Sequence, residues 1–560
     1  MEQMKKVIRY AISFYTIICL LIGLISCKQI NNEKSSESDQ QLIYIGEDIA
    51  VAPTTYGKVR GFIMRDIYHF RGIPYGASTE RGNRFMPPQE PKPWKNIRPT
   101  VAFGASAPQT MYNQQPESYH MFQDHWNYDL INEDCLRLNI WTPSLDNQKR
   151  PVLIWLHGGG YSRGNGVEQD GYMGENFARK ADIVFVSVNH RLNVFGFSDL
   201  SAVGGEKYKE SGNVGILDII AALKWVHNNI ASFGGDPGNV TIMGQSGGGA
   251  KVCTIASMPA ANGLIHKAVA LSGSTIKASS KQQAQQFGRF LLKEAGLQAS
   301  QIDSLQHMPW QEYMSIAESA SKKMQKSMNL KVSFSPIGDD INIPDSLFFD
   351  PKNPNIPDVP MLFCTTFHEW SISRDHPELE GINFAGVTEK LSTTYGVNSK
   401  VIVEAYQRQF PEMSPIEIWN LIKANRKNVV RSANRKLVQK SPIYMAWFGW
   451  KSPLFDGRQR AFHCIDISFW FYNTDLMITH SGGGKRPRLL SEKMCAALSS
   501  FMRTGNPSTP ELPQWLPYTE ENGETMILDN ECKLVNDPDG PAREILVNCE
   551  YNQNEQTPRK

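Results

Sequence analysis

Gly244-Gln245-Ser246-Gly247-Gly248 places a serine inside a tight, glycine-rich segment. It follows a predicted strand, Val240 to Met243, and leads into Gly248-Gly249-Ala250, small residues that can begin a helix. A nucleophile elbow requires this strand–turn–helix context, and it requires glycine two residues to either side of the serine, where larger side chains would collide. The serine hydroxyl then stands above the sheet edge, at the positive end of a helix. The pattern predicts that Ser246 is a nucleophile.

A second glycine cluster, His157-Gly158-Gly159-Gly160, closes the apolar run 152–156. Consecutive glycines after a strand allow backbone N–H groups to turn outward and approach a ligand closely. Together with the N–H of Gly247, they could form an oxyanion hole for a tetrahedral intermediate. A plain flexible loop is the alternative. A phosphate-binding loop is excluded, because no Gly-Lys-Ser/Thr follows.

A serine hydroxyl at its ordinary pKa is a poor nucleophile, so Ser246 needs a general base. The residue pattern alone does not choose among the histidines that follow Ser246 in the chain, which are His266, His307, His368, His376, His463 and His480.

Metal chemistry is not expected from this sequence. His368-Glu369 begins like a zinc-protease HExxH motif, but Ile372 stands where the second histidine should be. No Cys-x-x-Cys pair and no Cys/His cluster with zinc spacing is present. We therefore predict no metal and no cofactor.

The elements that must hold these residues read as alternating strands and helices. The spacing of apolar residues from Ile216 to Ile230 is helical. Apolar runs without alternation are typical of strands that are covered on both faces. Such runs occupy Val152–Leu156, Ile183–Val188, Val240–Met243, Lys267–Leu271 and Met361–Cys364. The order predicts an α/β fold with a large, mostly parallel sheet and helices on both faces.

We predict one domain over residues 43–552, followed by a polar tail at 553–560. Stretches 280–330 and 375–440 read as helical, charged insertions that cap one end of the sheet. Lys and Arg total 58 against 56 Asp and Glu, a balance that argues against a nucleic-acid binder. Nine cysteines in 560 residues are too few for a disulfide scaffold.

The N-terminus has the pattern of a secretory signal. Lys5, Lys6 and Arg9 precede a mostly apolar run from Ala11 to Ile25, which is short for a spanning helix. It ends in Leu-Ile-Ser-Cys, which resembles a bacterial lipobox and implies cleavage after residue 26 and lipidation of Cys27. Residues 27–42 then read as a flexible tether. An uncleaved anchor helix is the alternative.

Several motifs in series resemble the type-B carboxylesterase family, the α/β-hydrolases that include the cholinesterases. The resemblance covers about residues 43 to 550. It rests on the runs 56–61 (YGKVRG), 70–75 (FRGIPY), 133–136 (EDCL), 138–140 (LNI), 157–160 (HGGG), 189–192 (NHRL), 233–237 (FGGDP), 271–274 (LSGS) and 505–507 (GNP).

This resemblance implies the remaining site residues. The family has a catalytic Glu after a strand, which falls on Glu369, and a catalytic His followed three residues later by an acid, which falls on His463. It also implies Gly159, Gly160 and Gly247 as oxyanion donors. The resemblance also implies that Ser272 and Asp466 lie beside the triad, where a purely structural role is equally open.

Three positions depart from the family pattern. The residue before the nucleophile is usually Glu and is Gln245 here, and the residue after it is usually Ala and is Gly247 here. The family's N-terminal disulfide partner of Cys135 is replaced by Ala107, so Cys135 is expected to be a buried, small apolar residue. A Cys532–Cys549 pair is possible. Trp126 lies near the position of a choline-binding Trp in acetylcholinesterase, one residue off in spacing, and is expected to be a packed aromatic.

The leading hypothesis is a metal-free serine hydrolase that cleaves small carboxylic esters through an acyl-enzyme. The same triad could act on a thioester, carbamate or amide, and a non-catalytic, cholinesterase-like binding domain is a third reading. We expect the protein in a bacterial cell envelope, attached to the membrane through the lipid anchor only. The substrate, the membrane side and the oligomeric state stay open.

Overall fold

The computed structural model describes residues 41–111, 119–124, 127–128, 130–329 and 333–556. The chain divides into two units, Met1–Tyr44 and Ile45–Lys560. The predicted signal at 1–26, the lipidation site Cys27, most of the tether and Trp126 lie outside the described residues.

The strands are numbered in chain order. They are β1 (Ile43–Tyr44), β2 (Val51–Thr54), β3 (Gly57–Arg60), β4 (Phe62–Met64), β5 (Ile67–Pro74), β6 (Arg98–Pro99), β7 (Arg137–Thr142), β8 (Arg150–Leu156), β9 (Val184–Val188), β10 (Gly235–Gln245), β11 (Lys267–Leu271), β12 (Met361–Thr366), β13 (Ile443–Phe448), β14 (Glu524–Leu528) and β15 (Lys533–Asn536).

The α-helices are named by their ranges. They span Tyr119–Gln123, Glu175–Ala181, Asn193–Gly196, Ser201–Gly204, Val214–Asn229, Gly247–Ile255, Lys281–Glu294, Ser304–His307, Trp310–Met328, Phe384–Tyr395, Ser399–Gln409, Pro415–Lys423, Arg426–Lys436, Ile465–Trp470, Ile478–Ser481, Lys485–Thr504 and Gly540–Gln556. The last helix extends four residues into the predicted polar tail, where Glu and Gln favour the helical state.

The main sheet of the second unit runs in the order β4-β5-β7-β9-β8-β10-β11-β12-β13-β14-β15. Its central strands, from β9 through β14, are parallel to one another, and the pairings toward both edges are antiparallel. A separate small sheet joins β2, β3 and β6. The prediction of a mostly parallel α/β sheet is confirmed.

Both faces of the sheet are buried, and alternate residues of each strand belong to different cores. Ile154 of β8 and Ile242 of β10 face the core that contains the helix Val214–Asn229. Their neighbours Trp155 and Met243 face the core that contains the helix Lys485–Thr504. This two-sided burial explains why the strands are apolar without interruption.

The two predicted helical insertions are present, and each buries an apolar stripe of its own. The helices Lys281–Glu294 and Trp310–Met328 pack against each other and share a core with Phe85 and Tyr208. The helices from Phe384 to Lys423 form a further core with Trp447 of β13.

Within the described residues, no helix is both long and apolar enough to span a bilayer.

Candidate active site

The chemical groups singled out in the sequence meet at one edge of the sheet, where the parallel strands end. β8 ends at Leu156 and continues into Gly158–Gly160, and β10 ends at Gln245, directly before Ser246. Glu369 follows β12, and His463 lies on the connection after β13. Parallel strands present their carboxyl ends at the same edge, which is where open α/β sheets bind ligands.

Ser246 adopts a strained backbone conformation, with φ 57° and ψ −122°, between β10 and the helix Gly247–Ile255. Its N–H donates to the carbonyl of Leu271 at 2.8 Å. A Cβ on Gly248 would lie 2.0 Å from the carbonyl oxygen of Leu156, and one on Gly244 would lie 2.5 Å from the backbone of Gly248. The prediction that only glycine fits two residues before and two residues after the serine is therefore confirmed.

The glycine loop after β8 lies against the start of the helix that follows Ser246. Gly159 and Gly160 both have positive φ, 80° and 59°. A Cβ on Gly247 would lie 2.6 Å from the backbone nitrogen of Gly160. The alanine usual in the family would crowd this contact, so the glycine here permits the close approach. The three expected oxyanion donors are thus next to one another.

His463 and Glu369 form a bonded pair. The Nδ1 of His463 bonds to the Oε2 of Glu369, and the backbone N–H of His463 donates to the Glu369 carbonyl at 2.9 Å. The second carboxylate oxygen of Glu369 accepts from the Thr365 hydroxyl and, at 3.2 Å, from the N–H of Thr366. Burial raises the pKa of Glu369, but the charge of His463 and hydrogen bonds from His463, Thr365 and Ser272 outweigh burial, so the net shift in the pKa is downward.

Gln245 lies against the histidine ring, close to both of its nitrogens. Its amide nitrogen lies 3.1 Å from the Nε2 and 3.3 Å from the Nδ1 of His463, and its Oε1 accepts from the Cys464 thiol at 3.2 Å. Gln245 is fully buried. Among the described residues, the Ser246 hydroxyl makes no hydrogen bond, to the Nε2 of His463 or to any other group.

Ser272 and Asp466 lie beside the triad. Ser272 has φ 44°, and its N–H donates to the Cys364 carbonyl at 2.7 Å, which ties the end of β11 to β12. Asp466 is fully buried in the helix Ile465–Trp470. Burial and the charge of Glu369 raise the pKa of Asp466 to about 7.

A cavity of about 720 Å³ opens onto these residues. Ser246, Glu369, His463 and the glycines 158–160 line it. The rest of its wall mixes aromatic and charged groups, among them Tyr128, Tyr172, Trp370, Glu168, Arg163 and Arg374. Such a mixed wall suits a small molecule that has both apolar and polar parts.

Three residues of the site were missed in the sequence. Thr365 supplies a hydroxyl to Glu369, and Trp370 stacks on the ring of His463 with centroids 5.2 Å apart and planes 25° from parallel. Cys464 contacts Gln245. All three could have been noticed in the sequence, because each stands within four residues of a triad residue. Proximity in the sequence does not reveal in which direction a side chain points.

The described residues contain no group of three or more His, Cys, Asp or Glu side chains that could hold a metal ion. Seven described cysteines are free thiols, including Cys532 and Cys549. Cys135 is completely buried, as expected for a small apolar residue.

Similarity to known carboxylesterases extends over nearly the whole chain. The model of the carboxylesterase family matches residues 48–542. The para-nitrobenzyl esterase of Bacillus subtilis is 30% identical over 517 residues, which cover 89% of this chain and 98% of that protein.

Solved structures of esterases are similar to this chain over most of its length. A Clostridium hathewayi esterase, described as able to hydrolyze aliphatic aromatic polyesters, superposes with a TM-score of 0.78 at 32% identity, covering 91% of this chain and 99% of that one. A carboxylesterase of Geobacillus stearothermophilus gives a TM-score of 0.73 at 30% identity, covering 89% of this chain and 100% of that one.

The packing around the elbow predicts that Gly248→Ala is damaging. The added methyl group has no room beside the Leu156 carbonyl, so we expect a loss of about 1–3 kcal/mol in the free energy of unfolding. We also expect slower reaction of Ser246 with a serine-directed phosphonate. Denaturant unfolding and labelling kinetics measure the two effects. Gly82→Ala is the matched control, since nothing lies within 4 Å of its added Cβ. Wild-type stability and labelling in Gly248→Ala would contradict the packing argument.

Proposed function

The chain belongs to the carboxylesterase family and is a carboxylic ester hydrolase, and from this premise we propose that it works through an acyl-enzyme on Ser246. One observation carries the proposal. Ser246 stands on a strained turn in the same cavity as the bonded pair of His463 and Glu369. A nucleophile, a base and a group that orients the base are the parts that serine hydrolysis needs.

In the first half-reaction, the Oγ of Ser246 attacks the ester carbonyl carbon, and its proton passes to the Nε2 of His463. Glu369 holds the opposite ring nitrogen, which fixes the tautomer and stabilises the imidazolium. The tetrahedral intermediate collapses, the C–O bond to the alcohol breaks, and His463 returns its proton to the departing alkoxide.

In the second half-reaction, a water molecule attacks the acyl-serine carbonyl. His463 takes the proton from this water and then gives it to the Ser246 oxygen as the ester bond to the enzyme breaks. The carboxylic acid leaves, and the hydroxyl and neutral imidazole are restored.

The negative oxygen of each tetrahedral intermediate would be held by the N–H groups of Gly159, Gly160 and Gly247. Their adjacency, with the Gly160 nitrogen close to Gly247, supports this assignment. Loss of one oxyanion donor in comparable enzymes raises the barrier by about 3–4 kcal/mol.

Gln245 packs against the ring that carries the proton during this cycle. Its amide lies 3.1 Å from the nitrogen that has to accept the serine proton. Catalytic hydrogen bonds often form or tighten only when substrate is bound, and we propose that the bond between Ser246 and the Nε2 of His463 forms in the substrate complex.

Replacing the nucleophile tests the core of the proposal. We expect the full chain to hydrolyse p-nitrophenyl esters from acetate to octanoate and Ser246→Ala to lose this activity by at least about 10³-fold. A serine-directed phosphonate should label one site per wild-type chain and none in the variant.

Ser315→Ala, an exposed serine on the helix Trp310–Met328, is the matched control and should behave as wild type. Undiminished ester hydrolysis by folded Ser246→Ala would refute the acyl-enzyme on this serine. A parallel panel of thioesters, carbamates and amides identifies the preferred acyl linkage.

The pH profile tests the base. Burial lowers the pKa of His463, whereas Cys464 and the Glu369 carboxylate raise it, and the net pKa lies well above the ordinary value of 6.5. Because the base must be neutral, kcat/KM should fall as the pH drops through this raised pKa, with a midpoint above 6.5. Glu369→Gln removes the neighbouring charge, so we expect the midpoint to move to lower pH and kcat to fall by about 10³–10⁴-fold.

The exposed Glu521→Gln serves as the control for that profile. A wild-type midpoint at or below 6.5, or an unchanged midpoint in Glu369→Gln, would speak against His463 as the base held by Glu369.

We further propose that Cys27 carries a lipid anchor at a bacterial cell envelope. The support is the basic start, the apolar run from Ala11 to Ile25 and the Leu-Ile-Ser-Cys ending. In a bacterial host fed labelled palmitate, wild type should take up label and enter the detergent phase, and Cys27→Ser should do neither. Cys19→Ser, the other cysteine of the leader, should match wild type. Equal labelling of Cys27→Ser would exclude this anchor.

A further inference from the structure

Lys251 is a fully buried lysine on the helix Gly247–Ile255, the helix that follows the nucleophile. Its neighbours in the helix are small or apolar, and nothing in the reaction outlined above uses it. A lysine without solvent contact is rare in proteins, because removing an ammonium group from water is costly.

The contacts of Lys251 join the two ends of the glycine loop. Its ammonium group donates to the carbonyl oxygen of His157 at 2.9 Å, directly before Gly158. It also lies 5.6 Å from the ring centroid of Tyr161, directly after Gly160. The residues between these two contacts are the three loop glycines. A single side chain on the helix therefore touches the residues that flank the loop on both sides.

No carboxylate compensates this charge at close range. Among the described residues, the ammonium group has no ion pair within 4.0 Å, and the His157 carbonyl is its one hydrogen-bond partner. A helical side chain also points back toward the helix N-terminus, where the helix dipole is already positive. Burial accordingly lowers the pKa of Lys251 to about 7, although the charge of Glu168 works in the opposite direction.

The other titratable groups around Lys251 do not form an ion pair with it. His157 stacks on His190, with ring centroids 5.1 Å apart, and burial lowers the pKa of both imidazoles well below the ordinary value, so both are neutral. Burial raises the pKa of the Tyr161 hydroxyl, which therefore keeps its proton. Glu168 accepts from the hydroxyls of Tyr128 and Tyr172.

We propose that Lys251 is a positioning residue for the oxyanion hole, which it serves by tying the glycine loop to the helix of the nucleophile. The inference rests on the proposed function, because it takes Gly159, Gly160 and Gly247 as the donors. The absence of a side chain at Gly247 lets the loop approach, and Lys251 then holds it in that position.

This role explains why the cost of burying the lysine is tolerated. Its hydrogen bond to the His157 carbonyl holds the glycine loop in place before the negative oxygen forms, so the N–H donors need not rearrange during the reaction. An interaction that is stronger in the transition state than in the ground state lowers the barrier. Truncating Lys251 should therefore reduce kcat and leave KM nearly unchanged.

Lys436 provides a comparison within the same chain. It is also completely buried, but its ammonium group bonds to Asp358 at 3.1 Å and to Gln439. It lies on the helix Arg426–Lys436 and is not among the residues that line the cavity. A purely structural buried lysine should affect stability alone, so Lys436→Met is the matched control.

The experiment compares full-length wild type, Lys251→Met, Lys251→Arg and Lys436→Met. Their kcat and KM are measured with p-nitrophenyl butyrate, and their affinity is measured for an alkyl boronic acid, which forms a tetrahedral adduct with a nucleophilic serine. Lys251→Met should lose about 10- to 100-fold in kcat and a similar factor in boronic-acid affinity, with KM within about threefold of wild type. Lys251→Arg keeps an N–H donor for the His157 carbonyl and should restore most of both. Lys436→Met should match wild type in all three values.

Folded Lys251→Met with wild-type kcat and boronic-acid affinity would overturn the inference, as would a loss confined to KM. If Lys251→Met is not recovered folded, Lys251→Gln carries the same comparison. Phosphonate labelling in the same samples distinguishes a failure of the proposed function from a failure of the role of Lys251. An unlabelled wild type refutes the proposed function, whereas a labelled wild type with unaffected variants refutes only the role of Lys251.

Discussion

The backbone of Ser246 is the constraint on which the rest of the site depends. A non-glycine residue at φ 57° and ψ −122° costs on the order of 1–3 kcal/mol and persists only when its surroundings hold it there. The surrounding backbone is packed closely enough to exclude any side chain at two neighbouring glycines: a Cβ on Gly248 would lie 2.0 Å from the Leu156 carbonyl oxygen, and one on Gly273 would lie 1.7 Å from the Ser246 carbonyl oxygen. Three strand ends, of β8, β10 and β11, therefore close around one residue. The cores on both faces of the sheet supply the rigidity that keeps this turn strained.

The electrostatics of the site depend on the charged and neutral side chains that surround the turn at Ser246. The Glu369 carboxylate receives hydrogen bonds on both oxygens, which keeps it ionised in a buried place and holds the His463 ring. Next to the ring stands a neutral amide, Gln245, where relatives usually carry a carboxylate. Lys251 donates a hydrogen bond to the carbonyl at the start of the glycine loop. The arrangement places the negative group at the histidine and leaves the loop N–H groups where negative charge would develop.

The parts of this site that could be predicted from sequence are those fixed by local geometry. The elbow at Ser246 and the glycines 158–160 each follow an apolar strand directly, so their position at the sheet edge follows from chain order. The choice of His463 among six histidines needed the family resemblance, because its contact with Glu369 depends on how β12 and β13 lie side by side. The role of Lys251 was not visible, since His157 is 94 residues away in the chain. Contacts of that range are set by sheet order, which apolar patterns do not encode.

The most direct measurement of the central claim is to trap the intermediate. The full chain is mixed with p-nitrophenyl butyrate, quenched with acid within the first turnovers and examined by mass spectrometry, intact and after digestion. The account predicts one butyryl group per active chain, located on the peptide that contains Ser246. An enzyme that turns over ester while remaining unmodified, or one acylated on a different residue, would contradict it.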